Sequence, residues 1–163
     1  MPTIAYLSLG SNLGDREANL REAIRRLGEL GTVTKVSSFY ETEPVEFTEQ
    51  PWFVNCAVEL DINLSARELL SEMLAIEHAM GRERIQPKGP RLIDLDILLY
   101  GDAEFHEHGM TIPHPAMHQR RFVLEPLAEI APEAWHPVRH KTVSHMLAEL
   151  PEESIVRKSS RNS

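Results

Sequence analysis

With 163 residues, 42% hydrophobic and 26% charged, the chain is long enough to bury one core and has the composition of a soluble globular protein rather than a disordered or membrane one. Its 17 Lys and Arg against 25 Asp and Glu leave a formal net charge of -8, which argues against a general affinity for nucleic acid and obliges a polyanionic ligand to find a local basic site or a metal. No basic N-terminal stretch leads into a long apolar run, and no segment approaches the ~18 apolar residues of a membrane span, so a cytoplasmic protein without a membrane partner is expected. The single cysteine, Cys56, lies in an alternating apolar run; it cannot form an internal disulfide and reads as a small buried hydrophobe.

In chain order, Thr3 to Leu9 read as a short buried strand, and Gly10 to Asp15 as a turn into a helix N-terminus. Leu20, Ala23, Ile24, Leu27 and Leu30 recur at helical spacing, which predicts an amphipathic helix from Asp15 to Leu30 that Gly31 ends. Val33 to Tyr40 and Phe53 to Asp61 alternate as strands, the latter with Val54, Cys56, Val58 and Leu60 on one face and Phe53, Asn55, Ala57 and Glu59 on the other. A capping box, Ser65 with Glu68, opens a second helix with Leu69, Met73, Ile76 and Met80 as its apolar stripe and Gly81 as its stop. After a basic loop from Arg82 to Arg91, Leu92 to Tyr100 is apolar except at Asp94 and Asp96 and reads as a central strand. A further helix is expected from Pro115 or Ala116 to Ile130, bent or restarted at Pro126. The order β-α-β-β-α-β predicts an α+β, ferredoxin-like fold: an antiparallel sheet with helices packed on it and a C-terminal extension, forming one domain over residues 1–150 with a loose polar tail over 151–163.

The chemistry-bearing residues cluster around the last of these strands. A spacing of two places Asp94 and Asp96 on one strand face, shared with Leu92, Leu98 and Tyr100, while Ile93, Leu95, Ile97 and Leu99 fill the other. Two like charges on a buried surface need compensation, either by arginines in a structural ion pair or by magnesium, which prefers hard oxygen ligands and phosphate. Arg82, Arg84, Lys88 and Arg91 precede the strand directly; in isolation they read equally as a solvated loop or a phosphate grip, and the neighbouring carboxylates favour the grip. His114, between two prolines, is either a loop residue or a neutral donor to phosphate. Gly10-Ser11-Asn12-Leu13-Gly14 lacks the ending of a phosphate loop and reads as a structural turn. Phe53 and Asn55 share a strand face, where a ring and an amide either receive a flat heterocycle or belong to the core.

Together these residues resemble the hydroxymethyldihydropterin pyrophosphokinases, whose Gly-Pro-Arg-x-x-Asp-x-Asp-hydrophobic run appears as Gly89-Pro90-Arg91-Leu92-Ile93-Asp94-Leu95-Asp96-Ile97. The likeness runs from residue 3 to 137, through Ala5 to Gly14, Ser37 to Pro44, Phe53-Val54-Asn55, Ile112-Pro113-His114 and Glu129-Ile130-Ala131-Pro132. The resemblance implies transfer of diphosphate from ATP to 6-hydroxymethyl-7,8-dihydropterin in tetrahydrofolate biosynthesis, by in-line attack of the pterin hydroxymethyl oxygen on the β-phosphorus with release of AMP. It implies that Asp94 and Asp96 ligate two Mg2+ ions, that Arg82 and Arg91 stabilise the transferred group, and that Arg84 belongs to a mobile catalytic loop. Glu77, Ile97, Thr111, His114 and Arg120 then line the nucleotide. Thr42, Pro44, Val45 and Asn55 contact the pterin, and Phe53 and Phe122 sandwich it. A monomer is expected. The chain departs from many relatives at Lys88, Pro115, Leu74 and Gly109. Another two-metal enzyme, such as a nucleotidyl transferase or phosphodiesterase on a similar sheet, would explain the Asp pair but not Phe53, Asn55 and Phe122; a non-catalytic metabolite sensor would bind without metal and without turnover.

Overall fold

The structure, a computed structural model, describes residues 2–42, 52–81, 92–151 and 156–158. Its elements in order are β1 (Thr3–Ser11), α1 (Arg16–Leu27), β2 (Thr32–Val36), β3 (Tyr40–Thr42), β4 (Phe53–Ile62), α2 (Ala66–Gly81) and β5 (Asp94–Tyr100). A small hairpin of β6 (Phe105–Glu107) and β7 (Met110–Ile112) follows, then a 3-10 turn at Met117–Gln119, α3 (Arg121–Ile130), a second hairpin of β8 (Trp135–His136) and β9 (Lys141–Thr142), α4 (Val143–Ala148) and β10 (Val156–Lys158). The main sheet is ordered β10-β3-β4-β1-β5, with β2 also on β4, and every pair in it is antiparallel. With β2 and β3 taken as two halves of one strand against β4, this is the expected ferredoxin-like βαββαβ core.

The sequence explains the helices locally. Asp15 caps α1 by accepting from Ala18 N–H at 3.2 Å, and the apolar spacing buries Leu20, Ala23 and Leu27. In α2 the capping box forms in both directions, with Ser65 N–H to Glu68 Oε1 at 2.8 Å and Glu68 N–H to Ser65 Oγ at 3.1 Å. Both helices pack on one sheet face, where Leu7, Leu9, Cys56, Val58 and Leu60 meet Leu20, Leu27, Leu69 and Met73. The opposite face is partly covered by α3 and α4, whose Leu124, Leu127 and Met146 pack with Ala57, Leu98 and Leu99. The part of that face which α3 and α4 leave open is where the polar residues lie. Burial raises the Cys56 thiol well above its ordinary range, in keeping with an inert core residue.

Several boundaries differ from expectation. Gly10 and Ser11 belong to β1 rather than to the turn, because Asn55 and Val54 of β4 pair with them. The first helix stops at Leu27, three residues early, and Gly31 serves another purpose: a Cβ there would lie 2.5 Å from the Asp61 carbonyl oxygen. The strand expected over Val33 to Tyr40 is interrupted, since Ser37 Oγ accepts from Ala57 N–H at 2.8 Å and supplants a ladder bond. The five residues from Val36 to Tyr40 therefore face the four from Val58 to Asn55, a one-residue bulge. The ladder slips also between Val33 and Lys35, and an irregularity between Tyr6 and Leu7 breaks the alternation of β5: Leu99 joins the α3 and α4 side with Leu98, while Tyr100 packs on the α1 and α2 side. The last long helix is divided before Arg121, and Pro126 sits inside α3 without ending it. In the tail, Val156–Lys158 pair with β3, a strand that its polar composition does not announce.

Candidate active site

Strand pairing assembles the open face row by row. Tyr40, Asn55, Gly10 and Asp94 are successive neighbours across β3, β4, β1 and β5, and Ala57, Ser8 and Asp96 form the row beside them. Directly paired residues of antiparallel strands point to the same side, so Asn55 and the two carboxylates share one surface. Two strand spacings separate Asn55 from Asp94, roughly 10 Å between Cα atoms.

At the carboxylate end Asp94 and Asp96 are half-buried. Among the described residues no three of His, Cys, Asp and Glu converge into a closed metal cage. Two carboxylates on an open surface instead suit magnesium, which takes one or two protein oxygens and fills its octahedron with water and phosphate. His114 stands beside them on the segment after β7, its N–H bonded to the Leu98 carbonyl at 3.1 Å. Its Nδ1 accepts from Ala116 N–H at 3.1 Å, which leaves the ring proton on Nε2. Burial lowers the pKa of His114 below its ordinary value, with Asp96 opposing and Arg120 reinforcing the shift. The imidazole is therefore a neutral donor near an anionic pair.

At the Asn55 end, Thr42 Oγ donates to Asn55 Oδ1 at 2.9 Å, and both side chains are buried. With its oxygen occupied, the amide presents its NH2 group, which lies over β1: a Cβ on Gly10 would sit 2.7 Å from Asn55 Nδ2 and 3.6 Å from Phe53 Cδ1. Half-buried Phe53 precedes Asn55 by two residues on the same strand face. Phe122 enters from the first turn of α3, also half-buried, with the Arg120 guanidinium 5.6 Å from its ring centroid. The Phe53 ring, an oriented amide and a carboxylate pair thus share one strip, and Phe122 packs with the α3 and α4 cluster on the same side of the sheet.

Residues 6–132 match the family model described as 7,8-dihydro-6-hydroxymethylpterin-pyrophosphokinase. The chain belongs to this family. It is 49% identical over 132 residues to the 2-amino-4-hydroxy-6-hydroxymethyldihydropteridine pyrophosphokinase of Bacillus subtilis, covering 80% of this chain and 79% of the relative. It is 42% identical over 157 residues to the protein of the same name in Methylorubrum extorquens, covering 95% and 98%. Against the folic acid synthesis protein fol1 of Schizosaccharomyces pombe the identity is 40%, and the match takes 93% of this chain but 21% of that much longer protein. Wild-type Plasmodium falciparum HPPK-DHPS with pteroate shares the fold, with a TM-score of 0.70 at 18% identity over 91% of this chain and 42% of that one.

Of the positions the family resemblance singles out, the structure brings Thr42, Phe53, Asn55, Phe122, Asp94, Asp96, His114 and Arg120 onto or beside the open face. Three others lie elsewhere. Glu77 Oε2 accepts from Leu95 N–H at 2.7 Å, so one oxygen is committed to holding the outer edge of β5. The Ile97 side chain is buried among α1 and α2 on the opposite face, which leaves only its backbone for a nucleotide. Thr111 is exposed on β7. Arg82, Arg84, Arg91, Pro44 and Val45, with Lys88, lie outside the described residues. Leu74 is exposed on α2 at 55%, and Gly109 adopts φ +76 in the hairpin turn, a conformation an arginine would adopt only with strain.

Sequence reasoning missed Gly10, whose lack of a side chain admits the Asn55 amide, and it took the glycine-rich turn as a unit. In that segment Asn19 Nδ2 donates to Ser11 Oγ at 3.1 Å and to the Leu13 carbonyl at 2.8 Å. It also missed Glu129, a terminal residue of α3 that reaches back to the strand carrying Thr42.

Proposed function

We propose that this chain moves the terminal diphosphate of ATP onto the hydroxymethyl oxygen of 6-hydroxymethyl-7,8-dihydropterin, forming the pterin diphosphate and AMP, with residues 1–150 as the catalytic domain. The observation that carries the reading is the row in which the Asn55 amide and the Asp94 carboxylate are separated by Gly10 alone. A flat heterocycle held between Phe53 and Phe122 can donate and accept along its edge to Asn55 and Thr42, and a buried amide discriminates strongly against rings lacking the matching groups. Pro44 and Val45 are read as backbone contacts to the same edge. Its hydroxymethyl arm then points toward the carboxylates.

Asp94 and Asp96 are the candidate ligands of two magnesium ions, which when bound neutralise phosphate charge and lower the proton affinity of the attacking hydroxyl. The hydroxymethyl oxygen bonds to the β-phosphorus as the bond from that phosphorus to the bridging oxygen of AMP breaks. His114 Nε2–H and Arg120 are read as donors to phosphate oxygens, and Arg82, Arg84 and Arg91 as the further cations that offset charge on the leaving group. Glu77, Thr111 and the Ile97 backbone are read as the nucleotide border.

Incubation with ATP, magnesium and the pterin is expected to yield one AMP per pterin diphosphate; ADP as the nucleotide product would overturn the reading. Asp94→Asn and Asp96→Asn should each lower turnover at least about a hundredfold, since each removes a metal ligand and with it several kcal/mol of charge stabilisation. Circular dichroism should show the sheet retained in both, because each side chain lies on the open face outside the two apolar clusters. Near-normal turnover in both variants would move the metals elsewhere.

A further inference from the structure

Helix α3 carries two residues seven positions apart, Phe122 in its first turn and Glu129 in its last, which places both on one helix face and about 10 Å apart along the axis. Glu129 reaches the edge of the sheet. Ser38 donates to its Oε2 twice, from N–H at 2.9 Å and from Oγ at 3.0 Å, and Tyr40 donates its hydroxyl to Oε1 at 2.6 Å. Tyr40 is buried and pairs with Asn55, and two residues on Thr42 pairs with Phe53. One carboxylate therefore ties the helix that presents Phe122 to the short strand that presents Thr42.

The strand needs such a tie. β3 has three residues, follows the bulge at Ser37, and on the side away from β4 pairs, among the described residues, with the three-residue β10. A segment this short has few ladder bonds of its own, so a lateral shift of α3 or β3 would open the space between Phe122 and the Thr42–Asn55 pair. Three charge-assisted bonds to one carboxylate resist that shift. Burial and the bond to Glu129 both raise the Tyr40 pKa well above its ordinary range, so the phenol remains a donor at any working pH.

We propose that Glu129 is a positioning residue that sets the width of the pterin slot and so acts on pterin affinity while leaving nucleotide affinity alone. The inference rests on the pterin reading of this strip. Nothing about Glu129 itself touches substrate; its effect passes through Tyr40 and Ser38 to β3 and through α3 to Phe122.

The test compares Glu129→Ala, Glu129→Gln and Tyr40→Phe with Ser65→Ala, which removes the α2 cap and serves as a purely stabilising control. Glu129→Ala is expected to raise KM for the pterin about tenfold, the equivalent of one charged hydrogen bond, with KM for ATP within about twofold. Glu129→Gln keeps an acceptor for Tyr40 but turns an NH2 group toward the Ser38 donors, so it should fall between wild type and Glu129→Ala. Tyr40→Phe should shift the pterin KM in the same direction, and combining it with Glu129→Ala should add less than the two effects separately. An unchanged pterin KM, or KM values for both substrates that rise together in step with melting temperature as in Ser65→Ala, would overturn the proposal. Failure of the function reading is visible separately, as wild-type protein that forms no AMP. Equilibrium titration of the pterin with a nonhydrolysable ATP analogue then tests the slot without turnover.

Discussion

At Gly10 a single methyl group decides whether the Asn55 amide can lie across β1. A Cβ there would stand 2.7 Å from Asn55 Nδ2, inside any real carbon contact, and the amide cannot swing away freely because Thr42 holds its oxygen. Gly10→Ala should therefore weaken pterin binding at least about tenfold, the lower part of the 1–3 kcal/mol range for overpacking, with the sheet retained. Pterin fluorescence titration against circular dichroism separates the two effects; equal pterin affinity in the variant would show that the amide does not need this position. Asp94 and Asp96 were readable from spacing, because alternation within one strand is local information. Gly10 was not, because the group it accommodates belongs to a different strand.

The elements that matter most here are the irregular ones. Alternation alone predicts one strand from Val33 to Tyr40, yet the ladder slips twice, between Val33 and Lys35 and again at Ser37, and the second slip returns Phe39 to the α1 and α2 side with Val33 while Tyr40 and Thr42 face α3. Ser37 Oγ is the device, accepting from Ala57 N–H at 2.8 Å while donating to the Ser38 carbonyl at 2.7 Å. Ser37→Ala leaves a buried backbone N–H unpaired and should cost about 1–3 kcal/mol in urea unfolding. A loss within a few tenths of a kcal/mol would mean the backbone alone sets the bulge. The same phase problem explains Leu99 and Tyr100, whose faces depend on the mismatch between β1 and β5. The Ser65–Glu68 capping box was legible, since it acts within one turn, whereas the Thr142 cap of α4 was not expected.

Across the described residues, three layers leave an open strip at one end of a sheet face, and the α3, β8–β9 and α4 segment closes the other end. That closing segment carries a pH dependence. His136 is buried, and its Nδ1 accepts from Val138 and Arg139 N–H at 3.2 and 3.0 Å. Burial, with charge from His118 and Arg139, lowers its pKa from 6.5 to about 4. The native state thus favours the neutral ring, so this contribution is complete above pH 6.5, falls as the unfolded chain takes up the proton first, and is exhausted below about pH 4. The loss is at most on the order of 3 kcal/mol. Urea midpoints at pH 7, 5.5 and 4 should decline less steeply in His136→Asn than in wild type; parallel declines would place the linkage in other groups. No helix among the described residues is long and apolar enough to cross a membrane.

What the sequence by itself determined was whatever depends on neighbours a few positions away: helix periods and caps, the order βαββαβ, and the shared face of Asp94 and Asp96. The family-specific runs carried the reaction class, because they concentrate chemistry-bearing residues at short spacing. Tertiary structure alone decided which carboxylate helps to hold a strand, as Glu77 does, and on which sides of the sheet Leu99 and Tyr100 lie. It also decided that the Asn55 amide needs Gly10 beneath it and that Glu129 ties α3 to β3. Those facts depend on register and on bulges, which are settled by pairing between strands distant in sequence, and a one-residue shift in pairing exchanges the two faces without altering local composition.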